Sequence, residues 1–251
     1  MDFVWIYVKK FSSWDMGGMF NELDYSVRSV RKNYQGDVRC FVVGDIPTPT
    51  LNIIHIPAPP LVREDKEHQQ PQHFDLNNKF TTIIESEVNE EFVLMYDDIF
   101  ILKPTSREEI MKTYGRCVVE YPDQYVRKRS GGRPYKKLWL STYEYIITFR
   151  SSKGLKTYDW ETHLPRFMEK TKLKWVFDRL NVRNIPRMHT SLYPAHFSEE
   201  TFIMPDDFQA DLYDHRPGMD FDVEFKKHHM NIGDNVIVPG LIERMQDAFG
   251  K

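Results

Sequence analysis

The stretch EFVLMYDDIFIL, residues 91–102, decides the fold prediction because it places two adjacent acids between two apolar runs. The apolar run on each side of the acids is typical of a central strand that is covered on both faces, so we interpret the stretch as one such strand. Asp97 and Asp98 follow Tyr96 at the point where the first run ends. Open α/β sheets bind ligands at the carboxyl ends of their parallel strands. The stretch therefore predicts a ligand site at the acid pair.

The segments before the acid pair alternate between strand and helix patterns. Residues 3–8 and 38–45 are β-branched and aromatic runs that are typical of buried strands. Between them, residues 20–34 have apolar side chains at helical spacing, and a second helix is predicted over about 75–88, directly before residues 91–102. The order strand, helix, strand predicts an α/β fold with a mostly parallel central sheet flanked by helices.

The pattern is weaker elsewhere in the chain. Helices are predicted over 106–114, 138–149 and 164–180, and a strand over CVVEY, residues 117–121. Residues 63–73 are polar and without periodicity, which predicts an exposed loop. The last third alternates short apolar pieces with Pro and Asp, so we expect a helical and irregular C-terminal part.

Length and composition predict one soluble globular domain. The chain has 251 residues, of which 41% are hydrophobic and 28% are charged. The net charge of -3 excludes a bulk polyanion binder, so any basic function must be local. Cys40 and Cys117 lie in apolar runs, which argues against a disulfide framework or a cysteine zinc site. No run approaches the ~18 apolar residues that span a bilayer, and the first apolar stretch is too short for a signal peptide, so we expect a cytoplasmic protein.

The acid pair is chemically suited to a divalent cation. Two adjacent carboxylates repel each other in an apolar surround, and a bound cation removes that repulsion. Mg²⁺ and Mn²⁺ prefer carboxylate oxygens and take only one or two of them when they share a substrate's phosphates. Asp97 and Asp98 are therefore predicted metal ligands, with His189 or His196 as a third ligand. The alternative is that both acids cap the amides of a turn.

A basic segment, YVRKRSGGRPYKK, covers residues 125–137 and holds six basic residues in a chain of negative net charge. Such a segment can neutralise phosphates while its tyrosines stack on bases or sugars. A lid over a donor diphosphate and a solvated hairpin are the alternatives. The residues predicted to contact an acceptor here are Arg127, Lys128, Arg129 and Arg133.

Several blocks resemble one family. FVLMYDDIFILKP resembles the acidic metal motif of glycosyltransferases with the GT-A fold, and it is particularly similar to the Stealth and capsular-polysaccharide sugar-transferase group. MDFVWIYV and NELDYSVRSVRKNY are similar to that group's opening strand and first helix. ETHLPRFMEK resembles its His-x-Pro block at His163 and Pro165, and KKHHMNIGDN weakly resembles a closing block at Asn231 and Asp234. Tyr96 stands where the group has Asn before the acids.

The resemblance implies a single GT-A-like (Rossmann-like) catalytic domain over residues 1–251. Residues 1–122 would form the nucleotide-sugar-binding half and residues 123–251 the acceptor-side half. The implied activity is sugar transfer from a nucleotide-sugar, most typically a UDP-sugar, with Mn²⁺ or Mg²⁺ on the acid pair. The residues that the resemblance and charge pattern assign to the donor are Tyr7, Val8, Lys9, Arg28, Asn78, Lys79 and Asp97.

The block YDWETHLP, residues 158–165, supplies the candidates for proton transfer. A general base must be a carboxylate or an imidazole that reaches the acceptor hydroxyl, which makes Asp159, Glu161 and His163 the candidates. Trp160 beside them can stack on a sugar ring. The alternative is the capped start of a helix with proline in its first turn.

The acceptor and the type of transfer stay open at this point. A hydroxymethylated pyrimidine in bacteriophage DNA suits a protein with one basic aromatic segment, which would then act in the host cytoplasm. A surface saccharide fits the resemblance equally well. One alternative is Stealth-type transfer of a hexose 1-phosphate, which releases a nucleoside monophosphate in place of a diphosphate. Another is a nucleic-acid-binding module without enzymatic activity.

Overall fold

The computed structural model of the protein describes residues 1–8, 21–45, 52–61, 71–128, 133–182, 185, 187–214, 219–235 and 238–250. The first half contains β1 (Asp2–Tyr7), α1 (Glu22–Asn33), β2 (Arg39–Gly44), β3 (Ile54–Pro57), α2 (Pro71–Glu85), β4 (Glu91–Tyr96), β5 (Ile99–Ile101), α3 (Arg107–Met111), β6 (Tyr114–Gly115) and α4 (Pro122–Lys128). The second half contains α5 (Arg133–Ser151), β7 (Arg166–Glu169), α6 (Lys170–Arg179), α7 (His189–Phe197), β8 (Phe202–Ile203), β9 (Gln209–Asp214), α8 (Phe221–Glu224), β10 (His229–Asn235) and α9 (Pro239–Phe249).

The central sheet has the strand order β3-β2-β1-β4-β7. Strands β1 to β4 are parallel, and β7 joins the β4 edge antiparallel. The chain moves outward from β1 through β2 to β3 and then returns to the other side of β1 with β4. The carboxyl ends of β1 and β4 therefore flank a topological switch point, the usual ligand crevice of such sheets. The predicted α/β class with a mostly parallel sheet is confirmed.

Helices cover both faces of this sheet because its strands are apolar on both sides. All six residues of β1 are buried. Side chains alternate along a strand, so Phe3 and Trp5 pack on the α1 side, while Val4 and Ile6 pack on the side of α2 and α6. Continuous apolar strands of this kind are expected where a parallel sheet is buried on both faces.

Residues 91–102 form two strands and not one, which corrects the prediction of a single continuous strand. β4 ends at Tyr96, Asp97 and Asp98 form a turn, and β5 enters a second sheet of order β5-β10-β9. The two apolar runs are both buried because β4 fills the central core, while Phe100 of β5 packs in the core of the second sheet. The acid pair thus lies at the junction of two sheets.

Other predicted elements agree in type and differ at their limits. The predicted helices over 75–88, 106–114 and 138–149 correspond to α2, α3 and α5. The predicted helix over 164–180 is wrong in its first turn, where β7 pairs with the edge of β4 before α6 begins. CVVEY forms no strand; one bridge joins Val118 to Tyr158. Most of the predicted loop over 63–73 lies outside the described residues.

Cys40 and Cys117 are both free thiols, and Cys40 is buried as expected. Burial also raises the pKa of the Cys40 thiol, since a thiolate is poorly solvated in the core. In the segments that the structure describes, no helix combines the length and the hydropathy needed to cross a bilayer.

His229 makes the stability of the second sheet dependent on pH. Its side chain is 4% exposed, and its ring lies 5.0 Å from the Phe208 ring centroid. Burial, with a smaller effect from neighbouring His228, lowers the pKa of His229 to about 3. Unfolding exposes the ring to water and returns its pKa to about 6.5, so below that pH the unfolded chain binds a proton that the folded chain does not. This group therefore leaves the free energy of unfolding unchanged above about pH 6.5 and lowers it as the pH falls further.

We expect the free energy of unfolding to fall by about 1–2 kcal/mol between pH 7 and pH 5 through this group. Urea unfolding at both pH values measures the loss. His229→Asn should flatten the pH dependence, whereas His228→Asn, at an exposed position, should leave most of it. An unchanged pH dependence in His229→Asn would contradict the assignment.

Candidate active site

Asp97 and Asp98 lie partly buried in the turn after β4, and His163 contacts Asp98. Asp98 Oδ2 is 3.3 Å from His163 Nδ1, and the two side chains are 21% and 40% exposed. His163 has a φ of 45°, a left-handed conformation that is uncommon outside glycine and that persists only where neighbouring contacts hold it. Burial opposes charge on the imidazole, but the Asp98 and Glu161 carboxylates outweigh it, so the pKa of His163 is raised.

Gln209 holds the backbone of His163 in this conformation. Gln209 Nε2 donates to the His163 carbonyl oxygen at 3.0 Å and to Asn231 Oδ1 at 2.6 Å, and both amide residues are buried. Asn231 pairs with Ile99, the residue that follows Asp98. The two amides thus join the His163 loop to the strand beside the acid turn. Gln209 Oε1 and Asn231 Nδ2 are buried polar atoms with no hydrogen-bond partner among the described residues.

Glu161 is a further titratable group near the carboxyl end of β4. Its Oε1 accepts hydrogen bonds from the hydroxyls of Thr190, at 2.9 Å, and Ser191. Its carbonyl oxygen accepts from Arg116 Nε at 3.1 Å, and Arg116 also pairs with Asp211 at 3.1 Å. The two hydroxyls therefore orient the carboxylate, and Arg116 holds the backbone of the same residue. Nearby Tyr96 is affected as well: burial, followed by the charge of Glu161, raises the pKa of its phenol.

Asp159 is fully buried, which corrects its assignment as a general base. Its carboxylate accepts hydrogen bonds from the Tyr125 hydroxyl at 2.7 Å, the Tyr143 hydroxyl at 3.3 Å and the Glu161 amide at 3.2 Å. A carboxylate enclosed in this way cannot reach an acceptor hydroxyl. Its role is to position the loop that carries Glu161.

Trp160 and His189 also lie in the core, against their predicted roles. Trp160 is 0% exposed and donates from Nε1 to Thr201 Oγ1 at 3.3 Å, so it offers no face to a sugar. His189 is 1% exposed, with its ring 4.0 Å from that of Phe80. Within the part of the chain that the structure describes, no three His, Cys, Asp or Glu side chains form a group that could hold a metal ion. His189 is therefore not grouped with the acid pair; His196, the other candidate, hydrogen-bonds Tyr145 at 3.1 Å.

The residues predicted to contact the donor at the carboxyl ends of β1 and β2 differ in their exposure and in their partners. Tyr7 is 2% exposed there, so its ring presents almost no surface to a donor, which corrects its predicted contact. Val8 is partly buried and its contact stays a prediction, while Lys9 lies outside the described residues. Lys79 is also at this edge, but its ammonium is 1% exposed and bonds Asp75 Oδ2 at 2.6 Å. Lys79 therefore packs inside the fold against the ends of the strands, and Asp75 already neutralises its charge.

Asn78 lies on α2, as Lys79 does, and donates from Nδ2 to the Pro59 carbonyl oxygen at 3.4 Å. Arg28 is predicted to contact the donor phosphates, and that contact stays a prediction; in the structure the side chain has a partner of its own. Its Nη1 donates to the Gly250 carbonyl oxygen at 3.0 Å, at the C-terminal end of α9. A cation at a helix C-terminus is favourable because unpaired carbonyls carry partial negative charge there.

The basic segment is formed by helix ends, since α4 ends at Lys128 and α5 begins at Arg133. Arg127 is exposed on α4. The side chains of Lys128 and Arg133, and all of Arg129, lie outside what the structure describes. Of these four residues, the structure describes only the side chain of Arg127, and its acceptor contact stays a prediction.

The donor set at the acid pair fits a divalent cation shared with a substrate. Asp97 and Asp98 provide carboxylate oxygens on a turn. Among the described residues, no group of three His, Cys, Asp or Glu side chains could hold a metal ion by itself. Mg²⁺ and Mn²⁺ in phosphate-binding sites take one or two carboxylates and complete their shell with phosphate oxygens and water. The residues present match that ligand set.

Sequence reasoning missed Gln209, Arg116, Thr190 and Ser191. For Gln209 and its partner Asn231, the only sequence signal is the weak family resemblance of the block that contains Asn231. The sequence predicts a role for His189, whereas its neighbours Thr190 and Ser191 make the contacts with Glu161.

No protein-family model matches the chain, and no curated protein matches it. Among solved structures it is similar to the galactosyltransferase LgtC in complex with donor and acceptor sugar analogues, with 10% identity and a TM-score of 0.48 over 100% of this chain and 95% of that chain. An active-site mutant of LgtC gives 10% identity and a TM-score of 0.49 over the same shares. The glycosyltransferase GlyE of Streptococcus pneumoniae TIGR4 gives 9% identity and a TM-score of 0.38 over 98% of this chain and 59% of that chain.

Proposed function

We propose that the chain is a metal-dependent glycosyltransferase that moves a sugar from a nucleotide-sugar to an acceptor hydroxyl. One observation carries this proposal: the turn of Asp97 and Asp98 lies at the switch point between β1 and β4, with His163 3.3 Å from Asp98. Crevices at such points bind nucleotides in open α/β sheets. A turn that only capped its own amides would not need a histidine held against it by a second sheet.

The donor, for which a UDP-sugar is the first choice, would lie across the carboxyl ends of β1 and β2. Asp97 and Asp98 would hold Mn²⁺ or Mg²⁺, which when bound neutralises the diphosphate leaving group. The buried pair of Lys79 and Asp75 supports this edge from below and keeps the ends of the strands in place.

The base that deprotonates the acceptor is then Glu161 or His163, because Asp159 is enclosed. Glu161 is oriented by two hydroxyls and His163 by the Gln209 amide, so both groups are positioned before substrate arrives. Preorganised groups of this kind lower the cost of reaching the transition state. Glu161→Gln and His163→Gln, compared for kcat at saturating donor, distinguish the two.

The acceptor is a saccharide or a hydroxymethylated pyrimidine in bacteriophage DNA. Exposed Arg127 on α4 is the observation that favours DNA, since phosphates are neutralised by exposed basic side chains. Action in the cytoplasm, including a host cytoplasm for a phage enzyme, stays a prediction.

The proposal is tested by the nucleotide that the protein releases. The protein is incubated with UDP- and GDP-sugars and Mn²⁺, with and without EDTA, in the presence of hydroxymethylated DNA or of saccharides, and the nucleotides are separated by chromatography. Metal-dependent release of diphosphate that rises with one acceptor supports sugar transfer and identifies the acceptor class. Release of monophosphate would favour Stealth-type transfer of a hexose 1-phosphate. Absence of release and of donor binding, with DNA bound, would favour the non-enzymatic module.

A further inference from the structure

A surface groove lies beside α4, away from the acid turn. It has a volume of about 310 Å³ and is lined by Val118, Val119, Glu120, Tyr121, Gln124 and Tyr125. Tyr121 is 66% exposed and Val118 is 38% exposed. The open tyrosine ring, beside a carboxylate and an amide, offers an apolar face and hydrogen-bonding groups at one place on the surface.

The floor of the groove is connected to the candidate active site by hydrogen bonds. The ring of Tyr125 packs 5.3 Å from that of Trp139, and its hydroxyl donates to Asp159 Oδ2 at 2.7 Å. Asp159 Oδ1 in turn accepts from the Glu161 amide at 3.2 Å. One buried carboxylate therefore holds both the groove floor and the loop of Glu161, so the two surfaces keep a constant relation to each other.

We propose that this groove binds a saccharide, as a subsite for a sugar ring of the acceptor other than the one that reacts. A pyranose presents an apolar C–H face that packs on an aromatic ring, here Tyr121. Its hydroxyls can donate to the Glu120 carboxylate and exchange hydrogen bonds with the Gln124 amide. The volume is within the range of small-ligand sites, about 300–1,000 Å³. This inference rests on the proposed function, because it assigns the class of acceptor.

The charge of the groove favours a neutral saccharide over a nucleic acid. Among the described residues that line the groove, Glu120 is the one charged side chain and none is cationic. A phosphodiester would be repelled by this carboxylate, whereas sugar hydroxyls are good donors to it. The exposed basic residue Arg127 lies on the same helix but is not part of the lining.

The test measures binding without donor or metal. Saturation-transfer NMR is recorded with the methyl glycosides of glucose, galactose, mannose and N-acetylglucosamine, and with lactose and maltose. We expect transfer to the C–H protons of at least one of these sugars and a dissociation constant about tenfold higher in Tyr121→Ala, the size expected for loss of one aromatic contact. Tyr121→Phe keeps the ring and should bind normally. Trp175→Ala removes another partly exposed aromatic, 41% exposed on α6, and should also bind normally.

Three results would overturn the assignment. The first is that no saccharide of the panel receives saturation, and the second is that Tyr121→Ala binds as well as the unchanged protein. A third is binding of a hydroxymethylated oligonucleotide that Tyr121→Ala abolishes, which would make the groove a nucleic-acid site. The outcome is separable from that of the proposed function. Saccharide binding that depends on Tyr121 in a protein that releases no nucleotide would preserve the groove and refute the transferase.

Discussion

Replacing Asp98 by Asn is expected to lower kcat/KM for sugar transfer by about 10²–10³-fold, since a catalytic cation supplies several kcal/mol and each tenfold step is about 1.4 kcal/mol. Asn has nearly the same shape as Asp but no charge, so it holds a divalent cation much less tightly and loses the charge attraction to His163. Asp98 is 21% exposed and lies in a turn, so the fold should survive. The effect should therefore fall on metal-dependent donor binding and turnover.

Calorimetric titration of donor with and without Mn²⁺ separates the two effects. The unchanged protein should bind the nucleotide-sugar more tightly with Mn²⁺, and Asp98→Asn should show little difference. Asp206→Asn removes an exposed acid outside the site and serves as the matched control. Metal-dependent transfer at full rate in Asp98→Asn would show that the acids only shape a turn.

Replacing Gly44 by Ala is expected to destabilise the protein by about 2–6 kcal/mol, the sum of backbone strain and overpacking. Gly44 ends β2 with a φ of 127°, and a Cβ atom there would lie 2.1 Å from the Tyr7 carbonyl oxygen and 3.1 Å from Lys79 Cε. The first contact involves backbone, so it is relieved only if β1 and β2 move apart. Since domains are stable by about 5–15 kcal/mol, much of the stability would be lost.

Gly154→Ala is the matched control for this prediction. Gly154 also has a positive φ, 68°, but a Cβ atom there would meet nothing within 4 Å. Strain alone should cost about 1–2 kcal/mol at Gly154, so the excess at Gly44 measures the close approach of β1 and β2. Urea unfolding measures both variants. Equal losses at the two positions would contradict the predicted clash, and donor binding by Gly44→Ala reports whether the edge has moved.

Local pattern was sufficient to predict much of this molecule. Apolar runs on both faces identified β1, β2 and β4, helical spacing identified α1 and α2, and the position of Asp97 and Asp98 followed from the end of one run. Such features depend on periods of two and of about 3.6 residues, which neighbouring residues reveal by themselves. The same information could not show that the chain changes sheets at the acid pair. Two successive apolar runs have the same residue pattern whether they belong to one sheet or to two.

Side-chain roles were decided by tertiary packing. In YDWETHLP, the sequence offers Asp159, Glu161 and His163 as equivalent candidates, yet one is enclosed by tyrosine hydroxyls and another is turned onto Asp98. Gln209 holds that turn from 46 residues away. Burial and hydrogen bonding between distant segments depend on how complete elements pack, and no period along the chain encodes them. The sequence alone could therefore predict the strand end that presents the acids, while only the folded chain selects which side chains stand with them.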